Sequence, residues 1–264
     1  MLTSDRALDG VSVLVTRPAL QAEGLARAIE SAGGTAIRAP MIVINGLHDG
    51  SVAGAVARDL PNFDVVIFVS RNAAEFGVAL IKEEGRSLLN MAVFALGLGT
   101  ATCLKSLGVK HIITPASEFS SEGLLRLDGL SETKIKDKRI VIFRGVGGRE
   151  YLAKTLLRRD AEVVYCECYE RRKPALVLAG TLKQHAVKVP DIGLATSIEV
   201  LDNLVEKIEA EGIDQLFDMQ MLVVGSRVGQ EVAARGFTHR PLVVENPSDD
   251  SILHGLIHWA NDAP

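Results

Sequence analysis

The chain carries three tyrosines, Tyr151, Tyr165 and Tyr169. A phenol stays protonated at neutral pH and can donate a hydrogen bond to a departing hydroxyl. Tyr165 and Tyr169 flank the run VVYCECY, and residues four apart on a strand point to one face. Tyr151 stands beside Leu152 in a helical stretch and reads as packing. Two readings stand for Tyr169: a general acid facing a cleft, or a half-buried strand aromatic.

Five arginines, Arg17, Arg71, Arg144, Arg149 and Arg227, fall where apolar strand runs end. The stretches concerned are Thr16-Arg17-Pro18, Ser70-Arg71-Asn72 and Gly97-Leu98-Gly99-Thr100, then Arg144-Gly145-Val146-Gly147-Gly148-Arg149, Thr196-Ser197 and Gly225-Ser226-Arg227. Each precedes a predicted helix. Helix N–H groups, small hydroxyls and glycines suit an anion, and arginine adds a fork for carboxylates. Any one of these serines or threonines also reads as a plain N-cap. Taken together, in a chain of net charge −4, the arginines favour a small ligand with several negative charges, lying between the two halves of the chain.

Other chemistries fit less well. Gly97-Leu98-Gly99 and Gly145-Val146-Gly147 lack the third glycine of a dinucleotide fingerprint, and no GK[ST] loop occurs. His254 and His258 stand one turn apart, but Gly255 occupies the place of a zinc-protease glutamate and no third ligand is evident. Cys166 and Cys168 alternate along a strand and read as buried thiols. No serine lies in a GxSxG elbow. The net acidic balance gives no basic field for nucleic acid. No apolar run approaches the roughly 20 residues that span a bilayer. MLTSDRALDG has no apolar export core. Three cysteines are too few for a disulfide framework, so the expected compartment is a reducing cytoplasm.

The elements that hold these residues alternate between strand and helix, the pattern of a parallel sheet with crossover helices. VSVLVT (11–16) leads into a helix from about Gln21 to Ala32, stopped by Gly33-Gly34. RIVIFR (139–144) leads into a helix from about Gly148 to Arg159. Arg17 and Arg144, Leu25 and Leu152, Asp64 and Asp191, and Ser70 and Ser197 each stand 127 positions apart; Gly97 and Gly225, and Gly108 and Gly236, stand 128 apart. So constant an offset indicates an internal duplication. Strands are expected near 11–16, 35–44, 64–69, 92–96 and 111–114, and again near 139–143, 161–169, 191–195, 221–224 and 241–245. SETKIKDK (131–138) is the polar crossing between the repeats, although duplicated halves can exchange their opening segments.

Six segments in order resemble bacterial uroporphyrinogen-III synthases: VLVTRPALQAEGLARAIESAGG (13–34) with Pro40-Met41-Ile42, FVSRNAAEF (68–76), SSEGLL (120–125), FRGVGGREYL (143–152), VYCECYERR (164–172) and VVGSRVGQEVAARG (223–236). The resemblance implies two similar parallel-sheet α/β domains joined by a two-stranded β connector. Domain one would be 1–38 plus 173–264, domain two 49–160, and the connector strands 39–48 and 161–172. It implies a cofactor-free, metal-free lyase that closes hydroxymethylbilane, a linear tetrapyrrole with eight carboxylates, into uroporphyrinogen III. Water is lost to give an azafulvene cation. Ring D attacks through its substituted carbon, and the spiro intermediate fragments and recloses with ring D inverted.

Residue by residue, the resemblance puts Tyr169 at the proposed acid, Ser197 in one strand-end loop, and Ser70, Arg71 and Asn72 in the facing one. Ser121, within SSEGLL, joins Arg17, Gly97, Arg144, Gly145, Arg149, Thr196, Gly225, Ser226 and Arg227 as substrate-binding candidates. Val228 departs from the family, which often has threonine there, and Ser226 can replace that hydroxyl. The expected state is a monomer with no membrane or nucleic-acid partner. A non-catalytic binder or sensor of an anionic tetrapyrrole or other polycarboxylate is the alternative, since fold does not fix function.

Overall fold

The computed structural model describes residues 6–47, 52–89 and 91–262. The first elements are β1 (Ser12–Val15), α1 (Ala19–Ser31), β2 (Thr35–Arg38), β3 (Val43–Gly46) and α2 (Val52–Arg58). Then come β4 (Val65–Phe68), α3 (Arg71–Glu83), β5 (Ala92–Ala95), α4 (Leu98–Ser106), β6 (Ile112–Ile113) and α5 (Ser121–Leu125). Next are α6 (Glu132–Ile135), β7 (Arg139–Gly145), α7 (Tyr151–Leu157), β8 (Glu162–Arg172) and α8 (Leu178–Gln184). Last are β9 (Ile192–Ala195), α9 (Ile198–Glu211), β10 (Gln220–Val224), α10 (Ser226–Val232), β11 (Leu242–Val244) and α11 (Asp249–Asp262).

The chain forms two units, Met1–Val43 with Arg172–Pro264, and Ile44–Arg171. The first holds a five-stranded sheet in the order β11-β10-β9-β1-β2, its pairs parallel. One face is covered by α1 and α11: Leu25, Ile29, Ile252 and Leu256 pack on Val13, Val15, Leu194 and Leu222. Each such aliphatic side chain, fully buried, contributes roughly 1.5–3 kcal/mol. α1 carries Ala22, Leu25, Ala26 and Ile29 on its buried stripe. Gly33, just past its end, takes a φ of 88°, which glycine adopts without the Cβ penalty. α9 starts on the Ser197 cap and stops at left-handed Gly212.

The second unit holds a six-stranded sheet, β3-β8-β7-β4-β5-β6. Its two cores lie on opposite faces. Phe68, Phe143, Cys166, Cys168 and Tyr169 belong to one, and Ile67, Phe94, Ile140, Ile142 and Leu156 to the other.

The duplication is visible in the pairing itself. Val13 pairs with Ile192 in one sheet, and the residues 127 positions away, Ile140 and Val65, pair in the other. The sealing contacts repeat as well: the Ser12 N–H donates to Asp191 Oδ2 at 2.8 Å, and the Arg139 N–H to Asp64 Oδ2 at 2.9 Å. β1 and β2 of the first repeat thus share a sheet with strands of the second, and β7 and β8 sit with strands of the first.

Several expectations change in detail. The single strand expected over 35–44 is two, β2 and β3, separated by 39–42, where Pro40 lacks a ladder donor. The two strands lie in different sheets. Over the expected connector spans the described structure has β3 and β8, neighbours in the six-stranded sheet; the boundary placed at residues 48 and 49 lies outside the described residues. The helix expected over 148–159 shortens to α7, because Gly147 and Gly148 take φ of 75° and 99°. Tyr151 opens that helix and is half exposed rather than packed. The crossing at 131–138 contains α6 and lies inside the second unit.

Candidate active site

In the second unit the strand ends converge on Tyr169. β8 runs parallel to β7 in register until Arg144 opposes Glu167; the next pair is Gly145 with Tyr169. Cys168 is therefore the extra residue of a β-bulge, a device that re-aims the following side chain. Tyr169 turns to the face of Cys166 and Cys168, and Tyr165 stays on the other, against the Ile140–Ile142 core. The expectation that both tyrosines share a face is corrected by this one inserted residue.

The Tyr169 ring is buried and stacks on Phe76, centroids 5.8 Å apart. Its phenol oxygen lies 3.1 Å from Ser70 Oγ. Gly145 makes room for it: a Cβ there would stand 2.7 Å from ring atoms Cε2 and Cζ. Ser70 caps α3, its Oγ accepting the Ala73 N–H at 3.0 Å. Arg71 and Asn72 form the first turn of α3. Arg71 is exposed and paired with Glu75 at 3.0 Å, whereas Asn72 is buried.

Arg144 lies on the Tyr165 side. Its guanidinium stands 4.5 Å over the Tyr165 ring, and Nε donates to the Gly145 carbonyl at 3.2 Å. It is buried and 4.0 Å from Glu167 Oε1, an acid that also accepts the Gly147 N–H at 3.1 Å. Arg149 follows in the same glycine-rich loop and is exposed.

Gly97 caps α4, and a Cβ on it would lie 3.2 Å from Phe119, itself half exposed. Beside them the α5 cap is Ser120, accepting the Gly123 N–H at 3.1 Å, with Ser121 as the first helical residue. β4, β5, β7 and β8 are linked by parallel pairs, so Ser70, Gly97, Gly145 and Tyr169 share one edge, the carboxyl ends, where open α/β sheets bind ligands.

The first unit places its candidates at the same kind of edge. Thr16 is buried and its hydroxyl donates to the Leu194 carbonyl at 2.5 Å. Arg17 is buried too, pairing with Asp249 at 2.6 Å and donating to the Pro247 carbonyl. Its charge ties the start of α11 to β1. Ser197 caps α9, accepting the Val200 N–H at 3.2 Å, with Thr196 half-buried before it. Gly225, at a φ of 81°, precedes α10; Ser226 and Arg227 are exposed, and Val228 is turned inward.

Of the five arginines, then, Arg17 and Arg144 are committed internally and Arg71 has Glu75. Among the described residues Arg149 and Arg227 are exposed and make no ion pair. Glu167 and Phe119 escaped the sequence reading. Glu167 alternates with two buried cysteines, and that signal marks it as facing away from them. Phe119 had no pattern to reveal it.

The remaining reactive groups are quiet. All three cysteines are free and buried. Burial pushes the Cys166 thiol up and that of Cys168 up to about 12. Burial, then the charge of Glu75, raises Cys103. None is a thiolate at neutral pH. His254 and His258 are exposed on α11, and His258 Nδ1 lies 2.9 Å from Asp262. Among the described residues no group of three His, Cys, Asp or Glu could hold a metal, and no helix is long and apolar enough to cross a membrane.

Fold and strand-end residues together define a duplicated two-unit α/β protein with a buried phenol at the carboxyl-end edge of one sheet. A family model described as uroporphyrinogen-III synthase HemD matches residues 23–254, and the chain belongs to that family. The uroporphyrinogen-III synthase of Salmonella typhimurium is 36% identical, covering 93% of this chain and 100% of the relative. That of Escherichia coli K12 is 30% identical with the same coverage. In fold, the chain resembles a mutant uroporphyrinogen III synthase from Thermus thermophilus, with a TM-score of 0.59 at 16% identity, covering 97% of this chain and 100% of that one. It also resembles the Helicobacter pylori synthetase, with a TM-score of 0.57 at 16% identity and coverage of 96% and 100%.

Proposed function

We propose that the chain is a cyclising lyase of tetrapyrrole biosynthesis that converts hydroxymethylbilane to uroporphyrinogen III, losing water and inverting ring D. The observation that carries this reading is the seating of the Tyr169 phenol against Ser70, Gly145 and Phe76. A phenol so placed at a strand-end edge can protonate the departing hydroxyl while the pyrrole supplies the electron pair. The rest of the task is folding a flexible substrate so that the substituted carbon of ring D meets the cation, which is proximity and electrostatics. Arg149 with its glycine loop, and Arg227 with Ser226, are the exposed cations suited to the substrate's carboxylates. We place the enzyme in the cytoplasm as a monomer; three free, buried thiols support a reducing compartment.

The test is an isomer assay with hydroxymethylbilane, chelator present and no cofactor added. Type III product is expected. A product mixture matching the spontaneous type I background overturns the reading, and retention of tetrapyrrole without change of isomer identifies a binder.

A further inference from the structure

We infer that Ser70 is a positioning residue that relays the polarity of the α3 N-terminus onto the Tyr169 phenol; the inference rests on Tyr169 acting as the acid. A serine hydroxyl has one hydrogen and two acceptor sites. One acceptor site of Ser70 holds the Ala73 N–H at 3.0 Å, as a cap does. The second contact is Tyr169 Oη at 3.1 Å, from a residue 99 positions away. The 3.1 Å contact admits either oxygen as donor; in the relay the Ser70 hydroxyl donates to the phenol oxygen, with the Ala73 N–H polarising it from the other side. The phenol's own proton is then left to face the reacting group.

The polarity runs in one direction. α3 is 13 residues long, and its N-terminal N–H groups carry the positive end of its dipole. Accepting from one of them makes the Ser70 hydroxyl a better donor, because linked hydrogen bonds polarise one another. When the hydroxymethyl C–O bond breaks, the electron pair leaves with oxygen, which takes the phenol proton and departs as water. The pyrrole nitrogen pair fills the vacancy on carbon. The phenolate is held by the Ser70 hydroxyl and regains the proton released on ring closure. In the relay Ser70 acts through Tyr169, by the contacts it makes to Tyr169 Oη and the Ala73 N–H, rather than on the bond that breaks.

The duplication supplies an internal comparison. Ser197, the repeat counterpart of Ser70, makes the same cap to Val200. The position matching Tyr169, 127 residues earlier, is Ile42. Capping alone therefore accounts for Ser197, whereas the second contact is particular to Ser70.

The experiment is hydroxymethylbilane turnover by the full chain carrying Ser70→Thr, Ser70→Asp, Ser70→Gly or Tyr169→Phe, singly and with the last combined. Aspartate keeps the cap but only accepts at neutral pH. Glycine caps almost as well and offers no hydroxyl, which covers the case in which Ser70→Asp fails to fold by thermal melting. Ser70→Asp and Ser70→Gly are expected to lower kcat about tenfold with KM nearly unchanged, and Ser70→Thr to recover most of that loss. In the Tyr169→Phe background the Ser70 substitutions should cost nothing more, the signature of residues acting as one unit. Effects that multiply across the pair overturn the relay while leaving Tyr169 the acid. A raised KM with kcat intact overturns it in favour of a substrate contact. Tyr169→Phe at wild-type rate overturns the reading of Tyr169 itself, and the relay with it.

Discussion

Gly145 and Tyr169 face each other across the β7–β8 pair, and the glycine's missing Cβ is what lets the phenol lie where it does. A methyl group at Gly145 would stand 2.7 Å from two ring atoms and 3.0 Å from the phenol oxygen. The ring also stacks on Phe76 and belongs to the buried cluster with Cys166 and Cys168, so it can yield only by a small shift that moves the phenol off Ser70. Gly145→Ala should therefore displace the phenol rather than unfold the unit. Turnover should fall about tenfold or more, comparable to losing a positioned acid. A variant that melts like wild type and turns over at the wild-type rate would show that the close approach has no catalytic consequence.

Removing the phenol hydroxyl tests the acid directly. A positioned general acid contributes on the order of 10²–10⁴ in rate. Here the electron-rich pyrrole itself helps expel the hydroxyl, so Tyr169→Phe should slow turnover by roughly ten- to a hundredfold. The product should still be largely type III, because ring D orientation does not depend on one phenol. Tyr165→Phe is the control: it keeps the ring beneath Arg144 and should change little. Equal rates for Tyr169→Phe and wild type would return Tyr169 to the role of packing aromatic.

Much of this was legible in the sequence because the repeat was. The positions 127 apart prove to be equivalent in strand register, in the aspartates sealing β1 and β7, and in the Ser70 and Ser197 caps. Element type followed from periodicity. The bulge at Cys168 did not, because an inserted residue leaves the alternation of VVYCECY unchanged on paper. The partners of the buried arginines were hidden for a related reason. A strand-end position fixes where Arg17 starts, but its partner Asp249 is 232 residues away, beyond any local pattern. Ser120 and Ser121 are both capping residue types, and only backbone geometry separates the cap from the first helical position.

The two classes of arginine should behave differently. Arg17 is buried, with Asp249 and the Pro247 carbonyl as partners. Arg17→Ala leaves that carboxylate and carbonyl unpaired and should lower stability by about 2–3 kcal/mol, below the full cost of a wholly buried pair because Asp249 is partly exposed. Arg149→Ala and Arg227→Ala remove exposed side chains and should leave the melting temperature near that of wild type. Each should raise KM about tenfold, the worth of one charge-assisted hydrogen bond to a carboxylate. An unchanged KM in both would remove these loops from the substrate's reach.

A final prediction concerns Asp64, which ties the foot of β7 to β4. Its carboxylate accepts from Lys138 Nζ and from the Arg139 N–H, each at 2.9 Å. The Lys138 hydrogen bond, then the Arg139 backbone hydrogen bond, holds it below the ordinary aspartate range. A carboxyl depressed in the folded state contributes stability that is fully present above its unfolded value and is lost as pH falls through the folded one. Asp64→Asn should thus be less stable than wild type at neutral pH, by on the order of 1 kcal/mol, since the lysine contact is solvent-screened. The difference should narrow as the pH drops below the ordinary aspartate range and vanish once the wild-type carboxyl is protonated. Denaturant unfolding of both proteins across that range measures it. A gap between them that does not change with pH would mean that the shape of the side chain, and not its charge, seals this end of the sheet.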